Sequence, residues 1–194
     1  YPARGSSRQA SYYDPATEDF GLIDTCFGTH HLQFGFSEDR MLYFSGGGDV
    51  IGWLNTRQYD RTGDEQLSQG WCPMVVDTNG DGRITKPWNQ PVGPLRDQGV
   101  GGGGGKLVDV DLALDTRMSP GSYGVIADTK EDGVAWGVGT EFPGRIYRLD
   151  IGDNPPETCI TEVYELPVVD GKPMGFGPRG IDMDSNGILW TALS

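Results

Sequence analysis

The sequence predicts an all-β fold made of repeated four-stranded units, and three observations lead there. Glycine and proline, 31 and 13 of 194 residues, punctuate the chain too densely for long helices. Between clusters of Gly, Pro, Asp and Asn, apolar residues alternate with a period of two, the spacing of a half-buried strand. Finally, residues 29–56, 122–150 and 177–194 share one pattern. Each opens with a short apolar strand and turns through an acidic stretch. These stretches are Ser37-Glu38-Asp39, Asp128 to Gly133 and Asp184 to Gly187. Each then enters a second strand with an aromatic at its centre, Tyr43, Trp136 or Trp190.

The elements follow in order. SYYDP and FGLIDTC (Phe20 to Cys26) read as the end of one unit, residues 1–28. The next unit is residues 29–121. Its third strand is VIGWLNT, and an insertion occupies about residues 57–121. A further unit, residues 122–176, has RIYRLD as third strand and TCITEVYEL (Thr158 to Leu166) as fourth. Residues 177–194 begin another unit. The spacing from Trp136 to Trp190 slightly exceeds the roughly 40–50 residues of a propeller blade. A lone four-stranded sheet cannot bury both faces, whereas radial stacking of repeats can. The prediction is therefore a β-propeller fragment of about two and a half four-stranded blades with a long insertion. Tyr1 in place of a Met predicts a chain cut from a longer precursor. The last unit stops inside its second strand, at Ser194, which predicts further blades.

The string PxGI…D…G.LW is carried here by Pro178, Gly180, Ile181, Asp184, Gly187, Leu189 and Trp190. It is preceded by G.I.RLD at Gly144, Ile146, Arg148, Leu149 and Asp150. Together they resemble the streptogramin B lyase-like (virginiamycin B lyase-like) propellers. The closest resemblance is to secreted bacterial members carrying IDTCFGTHHLQF, residues 23–34 here. The resemblance implies a propeller fold. It also implies an elimination in which His and Glu residues from several blades, with Mg²⁺, open a cyclic depsipeptide lactone. Of those residues only a histidine maps onto this chain, at His30 or His31. Arg179 stands where the third unit would repeat it.

Aligning the units on their central aromatics superposes His30-His31, Ser122-Tyr123 and Pro178-Arg179 at the start of the first strand, which faces the channel in propellers. His30, His31, Tyr123 and Arg179 are therefore the candidate catalytic residues. An imidazole can serve as general base or metal ligand near neutral pH. A guanidinium can hold a carboxylate or phosphate through two parallel hydrogen bonds. The bland alternative has both histidines plugging the channel against backbone carbonyls.

A second constellation is DTNGDGRIT, residues 77–85. Asp77, Asn79 and Asp81 with Gly82 match the first half of a calcium loop, and Arg83 would offer its carbonyl. Trp88 stands where the bidentate Glu belongs, leaving Asp97 or Asp109 as substitutes or an Asx-rich turn as the alternative. Ca²⁺ is thus expected at the 77–85 loop, and a divalent cation such as Mg²⁺ at the channel mouth. DMDSNG (182–187) reads as hairpin chemistry. Gly101 to Gly105 lacks a phosphate-loop ending and reads as a linker. Trp53, Trp71 and Trp88 form either a sugar- or peptide-binding platform or a cover for a blade edge.

A net charge of −13 argues against nucleic acid as partner. No apolar run reaches the length of a membrane span. Cys26, Cys72 and Cys159 contain no CxxC pair. They fit either one disulfide with the third paired elsewhere, or buried thiols. The expected location is secreted or periplasmic. The expected function is a metal-assisted lyase at the channel mouth. The alternative is a non-catalytic propeller scaffold for a small-molecule, glycan, peptide or protein partner, or a subunit of an extracellular assembly.

Overall fold

The computed structural model describes residues 8–46, 50–89, 111–118, 121–140 and 143–193. The chain is all-β, with one short helix among the described residues. Hairpin β1–β2 (Gln9–Asp14, Asp19–Asp24) comes first. A four-stranded antiparallel meander follows, β3 (His31–Phe34), β4 (Met41–Ser45), β5 (Val50–Asn55) and β6 (Gln69–Pro73). A second meander repeats the order with β9 (Gly124–Ala127), β10 (Val134–Gly139), β11 (Arg145–Asp150) and β12 (Ile160–Glu165). Hairpin β15–β16 (Ile181–Met183, Leu189–Thr191) begins a third.

The segment expected to be insertion contains structure of its own. Helix α1 (Thr56–Thr62) starts at Asn55, whose side chain accepts from the Gln58 amide at 2.8 Å. It stops at Gly63, where a left-handed φ of 65° lets the amide reach the Tyr59 carbonyl. Beyond it β6, within the 57–121 range, completes the first meander as its fourth strand. The chain then adds β7 (Val75–Val76) parallel to β12 and β8 (Thr116–Arg117) antiparallel to β7. The connection therefore runs from the edge of one sheet to the edge of the next. Gly101 to Gly105, Asp97 and Asp109 lie outside the described residues. A two-residue hairpin, β13–β14 (Val168–Val169, Lys172–Pro173), turns through Asp170 and Gly171, both at positive φ.

Strand alternation buries both faces of the first meander. Leu42, Phe44 and Leu54 point to β1–β2, where Ala10, Ile23 and Phe27 meet them. Tyr43, Ile51 and Trp53 point the other way, into a core shared with Val125, Ala135, Tyr147 and Leu149 of the second meander. Trp53 is thus a core residue rather than part of an exposed platform, while Trp71 stays exposed and Trp88 stacks under Lys86. Successive units pack face to face, and their first strands β3, β9 and β15 lie side by side without pairing. A disulfide joins Cys72 on β6 to Cys159 just before β12, across that shared core. Cys26 carries a free, exposed thiol. Among the described residues no helix is long and apolar enough to cross a membrane.

Candidate functional site

The side-by-side arrangement of β3, β9 and β15 brings the three strand starts to one place. His30 and His31 precede and open β3, Tyr123 precedes β9, and Arg179 precedes β15. The imidazoles meet edge to face with centroids 4.3 Å apart. The Tyr123 ring lies 5.1 Å from His30 and 4.7 Å from His31. The Arg179 guanidinium carbon sits 5.7 Å from the centre of the Tyr123 ring, within cation–π range. Three of the four candidates, His31, Tyr123 and Arg179, line one cleft of about 410 Å³ together with Gly124, Gly180 and Ile181, and His30 packs against the His31 and Tyr123 rings.

Backbone geometry sets this convergence. The His31 Nδ1 lies 2.8 Å from the Tyr123 carbonyl, and with Nδ1 protonated it donates there. That leaves Nε2 as a free acceptor. The Ser45 hydroxyl, fully buried at the end of β4, donates to the same carbonyl and accepts from the His31 amide at 3.2 Å. One hydroxyl thus clamps the first unit to the second beneath the histidines. On the other side the Arg179 amide donates to the Ala192 carbonyl at 3.1 Å. Buried Pro178 precedes it, its ring fixing the backbone φ just ahead of Arg179. Sequence reading missed Ser45. Its only signal was a lone hydroxyl ending an apolar strand ahead of a glycine run.

Arg179 has no carboxylate within ion-pair distance among the described residues. Arg148, by contrast, bonds Glu131 at 2.6 Å and Glu162 at 3.0 Å. In a chain of net charge −13, an uncompensated guanidinium beside two imidazoles is a local reversal of sign.

The 77–85 loop lies apart from this cleft, at the end of β7. The Asp77 carboxylate accepts from the Gly80 and Gly82 amides at 2.7 Å and from Asp81 at 3.1 Å. Asn79 accepts from the Asp81 amide, and Asp81 accepts from the Arg83 amide. The Arg83 side chain also turns back, its Nε 3.6 Å from Asp81. Turn chemistry therefore accounts for the spacing of these acids and for Gly80 and Gly82 at positive φ. Among the described residues no group of three or more His, Cys, Asp or Glu side chains gathers as a metal centre. The cleft itself offers two imidazoles beside a guanidinium, a poor donor set for Mg²⁺, which takes oxygen ligands.

A second hollow, of about 370 Å³, is lined by Cys26, Gln69, Trp71, Pro155 and Pro156. Burial pushes the Cys26 thiol up, against the opposing effects of its own amide and Arg8. Less thiolate forms near neutral pH, so Cys26 lacks the setting of an activated nucleophile. Comparison with family models, curated proteins and solved structures found no match.

Proposed function

We propose that the repeats form part of a β-propeller whose cleft at the strand starts binds a small ligand through a carboxylate. The observation carrying this reading is the Arg179 guanidinium, stacked on Tyr123 beside His30 and His31 with no carboxylate of its own among the described residues. The cation–π contact holds the guanidinium at the cleft, and a guanidinium can bind a carboxylate through two parallel hydrogen bonds. The imidazoles add ring nitrogens beside it. Face-to-face packing of successive units, with first strands innermost, supports the propeller arrangement. The Cys72–Cys159 disulfide supports a secreted or periplasmic location, since such bonds persist in oxidising compartments.

The test is titration with acetate and malate, followed by the ring resonances of His30 and His31. The expected outcome is saturable shifts that weaken by about tenfold or more in Arg179→Gln, the loss of one charge-assisted contact. Shifts of equal size in the variant would overturn the reading.

A lyase resembling the streptogramin lyases is the second reading, and the paired imidazoles favour it. One imidazole would remove the proton adjacent to a carbonyl while the ester C–O bond breaks, releasing a carboxylate. The expected product of a streptogramin B substrate is a linear isomer of unchanged mass, its formation lost in a His30→Ala, His31→Ala variant.

A further inference from the structure

We infer that the cleft selects a hydroxycarboxylate, with the carboxylate on Arg179 and a hydroxyl of the same molecule donating to Nε2 of His31. This rests on the carboxylate reading above and names the class of ligand for the same cleft. One carbonyl carries the inference, that of Tyr123, through the two groups that donate to it.

A carbonyl oxygen has lone pairs and no proton, so a group that hydrogen-bonds to it must donate. His31 Nδ1 lies 2.8 Å from the Tyr123 carbonyl. In that contact Nδ1 carries the proton. A neutral imidazole has only one N–H, so Nε2 keeps a bare lone pair. The opposite tautomer would set a lone pair against a lone pair at the Tyr123 carbonyl and lose the bond. The fold thus chooses the tautomer, and with it the role of the nitrogen across the ring. That nitrogen bonds nothing among the described residues, and the exposed His31 side chain lines the cleft.

Ser45 makes this arrangement hard to undo. Its hydroxyl donates to the same Tyr123 carbonyl at 2.5 Å. With its one proton engaged there, the hydroxyl accepts from the His31 amide at 3.2 Å. His31 is therefore tied to one oxygen twice, directly by its ring and through Ser45 by its main chain. Ser45 is fully buried, so water does not compete for these bonds. His30, by contrast, makes ring contacts alone among the described residues, and nothing there sets its tautomer.

An acceptor on one wall and a guanidinium on the other describe a ligand of two parts. Arg179 has only donors to offer and draws a carboxylate. A simple carboxylate has only lone pairs and cannot bond Nε2. A carboxylate that also bears a hydroxyl bonds both. The Tyr123 ring stands between the two groups, 4.7 Å from the His31 ring and 5.7 Å from the guanidinium carbon, and sets their spacing. Gly124 keeps the two walls close, because a Cβ there would lie 2.8 Å from the Arg179 carbonyl.

The experiment compares malate with succinate, dicarboxylates of equal charge near neutral pH that differ by one hydroxyl. Each is titrated into the intact chain and into His31→Phe, followed by the His30 ring resonances. The nitrogen shifts of the His31 ring, taken without ligand at a pH where they show a neutral ring, report its tautomer. The expected result is a proton on Nδ1 and none on Nε2, with malate bound about fivefold tighter than succinate, the worth of one neutral hydrogen bond. In His31→Phe, with an unchanged far-UV spectrum because the replaced ring is exposed, the ratio is expected to fall to about one. Equal affinities in the wild type, both weakened in Arg179→Gln, would overturn the hydroxyl contact and leave the carboxylate reading standing. A proton on Nε2 in place of Nδ1 overturns the inference whatever the affinities. So does a preference for malate that persists in His31→Phe, which would put the hydroxyl on another residue. Saturable shifts from neither acid overturn both readings together.

Discussion

Asp128 and Trp136 show why each unit carries an acidic turn ahead of an aromatic strand. The Trp136 indole donates to one Asp128 oxygen at 2.7 Å, and the Lys130 and Glu131 amides donate to the other. Asp184 repeats this with the Ile188 and Asn186 amides and the Trp190 indole. Tyr43 replaces tryptophan in the first unit and is instead buried against the next. Burial, then the carboxylates of Asp132 and Asp150, push its hydroxyl up to about 12 despite a hydrogen bond from the Gly133 backbone. Partial burial raises the Asp128 carboxyl, but the indole, the two amides and Arg148 together hold it below its ordinary value. A depressed folded value means stability that is complete above the unfolded value, about 3.9. It is lost as pH falls through the folded one. Compared by urea denaturation, wild type is expected to exceed Asp128→Asn by a constant margin from pH 7 to about 5. That margin should shrink as pH falls below the unfolded value and through the depressed folded one. A margin independent of pH would show that the carboxylate charge contributes nothing. The acids and aromatics were legible as a repeated pattern, and so was the meeting of His30, His31, Tyr123 and Arg179, because aligning repeats aligns their strand starts. The bonds that make the pattern physical, and the Ser45 clamp, were not. They depend on which way a side chain points across a turn or between units.

Each turn between first and second strands also ends in a left-handed residue near the start of the second strand. Gly133 and Gly187 occupy it at φ 77° and 84°, while Arg40 occupies it at φ 50°. The left-handed region costs a residue with a Cβ about 1–2 kcal/mol, and glycine far less. Arg40 offsets little of this, because its ion pair with Asp60 at 3.2 Å is more than half exposed on both sides. Arg40→Gly is therefore expected to raise stability by about 0.5–1 kcal/mol in urea denaturation. A loss of stability would mean that Arg40 contributes through its tie to α1 more than its backbone costs. The helix was illegible in the sequence for a related reason. Its seven residues bury no side chain, so no apolar periodicity marks them, and only the Asn55 cap and Gly63 stop hint at it. The fourth strand β6 was hidden likewise. QGWCP is short, its glycine lies under the Trp53 ring, and its register is set by β5 rather than by any alternation of its own.

Across the whole molecule, the two meanders are held together by one apolar core and one covalent link. Three cysteines allow three pairings, and nothing in their spacing selects among them. Packing does, because β6 and the approach to β12 are corresponding parts of adjacent units and place Cys72 and Cys159 with Cα atoms 5.8 Å apart. Both sulfurs sit inside the shared core, at 0% and 1% exposure. The bridge closes a loop with a sequence separation of 87 residues. Chain-entropy reasoning gives such a loop about 4 kcal/mol, chiefly by restricting the unfolded chain. For a chain of 194 residues that corresponds to roughly 10 °C in melting temperature. The expected result is a fall of that order in Cys72→Ala, Cys159→Ala, matched by wild type unfolded in reductant. Cys26→Ala, which removes only an exposed thiol, should melt with wild type. Agreement between the double variant and reduced wild type separates loss of the link from the small cavity that truncation leaves. If the double variant instead melts with oxidised wild type, the apolar contact between the meanders suffices and the bridge adds nothing to it. If only the Cys26 variant falls, the covalent link lies elsewhere and the packing of β6 against the β12 approach must be redrawn.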